Sequence, residues 1–321
     1  MEFTKPSLSF DQQVALLRSR GMGGDPTVIR RRLEAVNYYR LSAYWSTFRA
    51  QGGDQFIDGT TIDVVWARYT FDRELRLLVM DALERVEVAI RTRLAYAHAQ
   101  AGGPFGYITG PTAITERGKT GQEVFLDRVD KALAANRKEP FVLHFTQTYG
   151  DKHLRPPIWV TAELLMFGDL VAAYKGSPPA IRRAVAHHFG VAEVVLDSWL
   201  LSLNMVRNIC AHHGRLWNRE LGIKPKIPRD DAWARPVKIP NERVFGVLTI
   251  LADMMRRIAA GSTWSGRAQA LIAMDPERVP IPYMGFPVDW QQSPVWQRAW
   301  AAADGVQPTH GLAKAPRPTA P

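Results

Sequence analysis

From Ile62 to Gln100 the chain runs without a glycine or proline, and apolar residues recur every three or four positions, as at Leu75, Leu78, Val79, Leu83, Val86, Ile90 and Leu94. That spacing predicts one long helix or two stacked ones. Its other face alternates charge through Asp81, Glu84, Arg85, Glu87 and Arg91, the pattern of a solvated helix surface. Gly102-Gly103-Pro104 stops it. No strand pattern of convincing length and no internal repeat appears elsewhere, so the chain is expected to be all-α.

Shorter helices are predicted on both sides. Residues 8–20 carry Leu8, Val14, Leu16 and Leu17 at loosely helical spacing, with Ser9 and Gln12 placed as a capping box. Asp25-Pro26 opens a helix running to about Tyr39, followed by the aromatic segment Tyr44–Phe48. Further helices are expected near 121–136, 158–174, 178–189 and Val191–Trp217, with a final pair near 242–275. Pro225, Pro228, Pro236 and Pro240 mark an extended connection before that pair, and Pro280 to Trp296 is expected to strap the bundle. One helical domain over 1–296 follows, with an N-terminal part to about 110, a second helical part over 111–275 and the strap over 276–296. The remainder, 297–321, is a Pro- and Ala-rich tail expected to be disordered after Gly305.

Composition narrows the function. Hydrophobic residues at 46% suffice for one large core or two smaller ones. No apolar run approaches the roughly 18 to 20 uncharged residues of a membrane span, and MEFTKPSLSFDQQ has no secretory pattern, so the expectation is a cytoplasmic protein with no membrane partner. A lone cysteine, Cys210, excludes an internal disulfide framework and a zinc site built on several thiolates. The formal charge of +10 suits a polyanionic partner such as RNA, and equally a basic surface that only keeps the chain in solution.

The helix expected over Val191–Trp217 holds the densest set of groups that contact phosphate or move protons. At about 100° per residue, Asn204, Asn208, His212 and Arg215 fall on one polar stripe, while Trp199, Leu203, Val206 and Cys210 form an apolar one. His212 neighbours Asn208 and is the stronger candidate; His213 points about 100° away. Such residues suit RNA cleavage by its own 2′-hydroxyl. A histidine, with an ordinary pKa of about 6.5, takes or gives the proton. Arg207 offers a planar donor fork to the charged phosphate, and Asn208 orients the imidazole or holds a phosphate oxygen. Neither a metal nor a cofactor is called for. Arg207 and His212 lie about 140° apart on an ideal helix, so a second copy of the helix from a homodimer partner would complete the site. The plain alternative is that an arginine and a histidine on one helix form salt bridges or satisfy the core.

Here the sequence resembles the Abi-like (abortive infection) family of bacterial phage-resistance proteins, through Arg207-Asn208-Ile209-Cys210-Ala211-His212-His213 with Arg215-Leu216-Trp217-Asn218-Arg219. Lys5-Pro6, Leu8-Ser9-Phe10, Asn37 to Ser42, Tyr44-Trp45, Phe71-Asp72, Leu75-Arg76, Pro157-Ile158-Trp159, Phe167-Gly168 and Met284 to Pro287 fit the same resemblance. The family is similar to the HEPN superfamily of helical nucleases, whose motif is an arginine, four to six residues, then a histidine; Arg207 and His212 match it. The resemblance implies a metal-independent endoribonuclease that dimerises with both motifs on one cleft and cuts RNA during infection. It also implies restraint by an antitoxin, protein or small RNA, or release by a phage-derived trigger.

Weaker signals remain. Arg93 and His98 repeat the Arg-x4-His spacing, and His213, Arg215, Asn204 and Asn218 are secondary site candidates. His187-His188 cannot chelate one ion as helical neighbours, and no carboxylate lies at ligand spacing beside them, so no metal site is expected. Arg30, Arg31, Arg32 and Arg40 can track an RNA backbone, with Tyr38, Tyr39 or Trp45 stacking on bases, although aromatics of this kind more often pack in cores. Two rival functions stay open: a nonenzymatic RNA-binding scaffold, and a DNA-binding regulator using the early helices as a helix-turn-helix, for which a clean recognition helix is missing.

Overall fold

A computed structural model describes residues 2, 6–116 and 121–304. Lys5 and the tail expected to be disordered after Gly305 lie outside the described residues. The described residues form helices and turns with no β-strand, only two isolated bridges.

The N-terminal helices follow their caps. Ser9 and Gln12 bond reciprocally at the start of α1 (Phe10–Ser19), and Asp25 caps α2 (Pro26–Ala35) through the N–H of Thr27. The second helix ends at Ala35 rather than near Tyr39, because Asn37 takes the N–H of Tyr39 and opens α3 (Tyr38–Trp45). The breaker-free stretch is one helix, α4 (Ile62–Gly102), about 60 Å long at the usual rise per residue. Its inner face buries Leu75, Val79, Ala82, Leu83, Val86 and Ile90.

The rest of the chain packs around that rod. In order come α5 (Gln122–Ala135), α6 (Pro140–Tyr149), α7 (Ile158–Leu164), α8 (Phe167–Gly176), α9 (Pro179–His188) and α10 (Glu193–Ala211). They are followed by the short α11 (Asp231–Ala234), then α12 (Val244–Ile258), α13 (Trp264–Ala273) and α14 (Pro294–Asp304). Helices α3, α7, α8, α9, α10, α12 and α13 all pack against α4. One buried cluster joins all of these helices except α6 and includes Trp45, Trp199, Trp217, Trp264 and Trp296.

Three further expectations change. The helix expected over 158–174 is two, because Leu165 turns extended and its carbonyl accepts from Arg91 Nη2 at 3.0 Å. The strap expected over 280–296 is a chain of 3-10 turns that passes into α14. The helix expected to reach Trp217 stops at Ala211. The Pro-rich connection lies along α10, with Trp199 Nε1 donating to Lys226 O at 2.7 Å and Ser202 Oγ to Ile223 O at 3.0 Å. No single helix among the described residues is long and apolar enough to cross a membrane.

Candidate functional site

Helix α10 presents two faces. Leu196, Trp199, Leu200, Leu203, Val206 and Cys210 are buried against α4, α8, α9 and α12. Burial pushes the Cys210 thiol up to about 12, which keeps it an inert packing group. Asn204, Asn208 and His212 lie along the opposite, open face and line one shallow groove of about 570 Å³. Arg207 is half-buried, and its Nη1 sits 3.4 Å from Asn208 Oδ1. The structure thus brings Asn204, Asn208 and His212 together and lays Arg207 against Asn208.

The end of α10 explains the remaining residues. The N–H of His213 bonds to Cys210 O and that of Gly214 to Ile209 O at 2.8 Å, the paired bonds of a Schellman turn. His213 holds the left-handed position with φ of 57°, where glycine is usual. Its side chain is exposed, while its carbonyl accepts from Arg40 Nη1 of α3. Replacing His213 by glycine is therefore expected to stabilise the fold by about 1 kcal/mol. The bond from Arg40 goes to the backbone and is kept in the variant, and paired thermal melts check the gain.

Because the chain turns at His213, Arg215 does not continue the polar stripe. Its Nη1 instead donates to Ala43 O on α3 at 2.7 Å, a second brace between α3 and the turn. Asn218, also left-handed with φ of 50°, accepts from Arg243 Nη1 at 2.8 Å. Arg219, which the secondary candidates did not include, lines the groove and donates to Arg215 O at 3.1 Å.

Beneath the turn lies a group that residue-by-residue reasoning passed over. Asp72 on α4 is fully buried, and its carboxylate accepts from the N–H of Leu216 at 3.1 Å, the N–H of Trp217 at 2.6 Å, Tyr44 Oη at 2.6 Å and Arg76 Nη1. Burial pushes the Asp72 carboxyl up, and Arg76, Tyr44 and the two N–H groups pull against that. Burial and the neighbouring carboxylate hold the Tyr44 phenol above its ordinary range, so it serves as a donor. Arg68 adds a clamp, its guanidinium 3.9 Å from the Phe48 ring centroid and 4.9 Å from that of Trp217. The only signal for Asp72 in the sequence was its place in the Phe71-Asp72 and Leu75-Arg76 pattern.

The weaker candidates have other surroundings. Arg30 pairs with Asp11 and Glu34, and Arg32 with Asp63 at 2.7 Å, while Arg31 is exposed. Tyr39 is 85% exposed one residue before Arg40, whereas Trp45 is buried. No group of three His, Cys, Asp or Glu side chains with metal-binding spacing occurs among the described residues.

His98, the second Arg-x4-His histidine, is sealed in the core, with Nε2 2.8 Å from Ser177 Oγ. Burial brings it from the usual 6.5 down to about 4. A base with a depressed folded pKa binds its proton first in the unfolded chain, so stability present above pH 6.5 is lost as the pH falls toward 4. The expected loss is on the order of 3 kcal/mol. Urea unfolding of wild type and His98→Gln across this range checks it; parallel slopes would refute the assignment.

The fold and this surface define an all-α protein with a polar, cation-bearing groove at the end of a core helix. A family model described as Abi-like protein matches residues 31–218, more than half of the chain, and includes α10 and the turn after it. The chain belongs to the Abi-like protein family, which supports a role in abortive infection. No curated protein and no solved structure matches it.

Proposed function

We propose that this protein is a metal-independent, HEPN-type endoribonuclease acting as a toxin-like effector of abortive infection. The observation that carries the reading is the placement of Asn208 and His212 on one open groove with the Arg207 guanidinium against Asn208. In the reaction, a 2′-hydroxyl loses its proton to a base and its oxygen bonds to the adjacent phosphorus. The bond from phosphorus to the 5′ oxygen breaks, and that oxygen is protonated. His212 serves as the acid/base, Arg207 stabilises the phosphate as charge accumulates on it, and Asn208 orients the imidazole or a phosphate oxygen. The products carry a 2′,3′-cyclic phosphate and a 5′-hydroxyl.

The enzyme works as a homodimer. A protein or small-RNA antitoxin, or a phage-derived trigger, governs it. The test is incubation of the purified chain with end-labelled single-stranded RNA in EDTA, beside His212→Ala. Cleavage with cyclic phosphate ends by wild type alone is expected. Intact RNA at every concentration and pH leaves a binding protein in place of an enzyme, and equal cutting by both proteins moves the chemistry away from His212.

A further inference from the structure

The groove beside His212 has two unlike sides. Leu201, Met205, Ile209 and Ile223 give it an apolar floor, and Ile223 is 41% exposed. Asn204 and Arg219 join Asn208 and His212 on its polar side, and no carboxylate is among the lining residues. Its volume of about 570 Å³ falls within the usual range for small-molecule sites. Asn204, Asn208 and His212 follow one another at intervals of one turn, about 6 Å apart along the axis.

Resting on the nuclease reading above, we infer that this groove holds an unpaired nucleobase next to the phosphate that is cut, with Asn204 reading its edge. An apolar floor is covered by the face of a base. A paired base has that face stacked inside the duplex and offers only its edge, so the fitting ligand is an unpaired nucleotide. A side-chain amide offers both a donor and an acceptor, which suits a base edge, and Arg219 supplies the positive charge that a flanking phosphate needs. Asn204 is thus a specificity residue set two turns from the acid/base.

The experiment uses the full-length chain carrying His212→Ala and a short single-stranded RNA containing 4-thiouridine, irradiated in EDTA, with the cross-linked peptide identified by mass spectrometry. Cross-links within 201–209 are expected, and Met205→Glu should weaken binding of this RNA about tenfold. In the active background, Asn204→Ala should change the base preference at one position flanking the cut about fivefold, read by sequencing the ends of a randomised RNA. Circular dichroism confirms that each variant is folded. Cross-links outside the groove, with base preference unchanged in Asn204→Ala, overturn the inference while His212-dependent cutting leaves the nuclease reading standing. Cross-links in the groove without any cutting by the His212 protein uphold the base site and remove the nuclease. If Met205→Glu turns a dimer into a monomer and the cross-links lie elsewhere, a second copy of the chain covers this face and the inference fails.

Discussion

Arg207→Ala and His212→Ala should each lower RNA cleavage by about 10² to 10⁴, yet an equimolar mixture of the two dead proteins should recover roughly a quarter of the wild-type rate. The expectation comes from the helix. Arg207 and His212 are separated by about 140° around α10. In the structure the Arg207 guanidinium reaches Asn208, at a weak 3.4 Å, and is half-buried, while His212 lies at the helix end on the groove. In the proposed twofold dimer, the arginine of one protomer would pair with the histidine of the other. Random exchange makes about half the dimers mixed, each with one of its two sites whole, which gives the quarter. The measurement is initial cleavage rate after co-incubation or co-refolding, with mass photometry reporting the mixed dimer. A mixture as silent as its components, although mixed dimers form, means that both residues act within one chain.

Much of the frame was legible because local signals and packing agree. Ser9 with Gln12 and Asp25 with Pro26 announce helix starts, and the structure has both caps. The stretch after Ile62 contains nothing to divide it, and only the packing of seven helices around it decides between one rod and two. The break between α7 and α8 was not legible, since Leu165-Met166 contains neither glycine nor proline. What opens the helix there is a bond from Arg91, on a helix far away in sequence. The end of α10 was misplaced for a related reason: the left-handed residue of its terminal turn is His213, and the glycine that usually marks such a position stands one residue later.

The site divides the same way. Asn204, Asn208 and His212 were legible as one stripe because helical geometry alone puts them there, and the inward burial of Trp199, Leu203, Val206 and Cys210 is the other half of that argument. Arg215 leaves the stripe because the helix ends at Ala211, and its guanidinium donates instead to a carbonyl of α3. Asp72 and Arg76, four apart on a helix, have the spacing of a surface ion pair. Only the chain after α10 arriving over them makes them a buried anchor.

That anchor should be the most sensitive point of the fold. Asp72→Ala leaves the Arg76 guanidinium, the Tyr44 hydroxyl and the N–H groups of Leu216 and Trp217 without their shared acceptor in the interior. Stranding a buried charge costs about 3 to 5 kcal/mol, and orphaned donors add to it. The charge-matched double variant Asp72→Leu with Arg76→Met should recover much of that loss, because removing both partners also removes the uncompensated guanidinium. Urea unfolding of the single and double variants measures the difference, and a cost below about 1 kcal/mol for Asp72→Ala would show that the network holds nothing. The consequence reaches the site because residues 216 and 217, which Asp72 grips, directly follow the turn that carries His212 to the surface. A variant that keeps its fold through the double change but lets this turn loosen should therefore lose cleavage out of proportion to its loss of stability, and the two readouts together separate an anchor of the turn from an ordinary core contact.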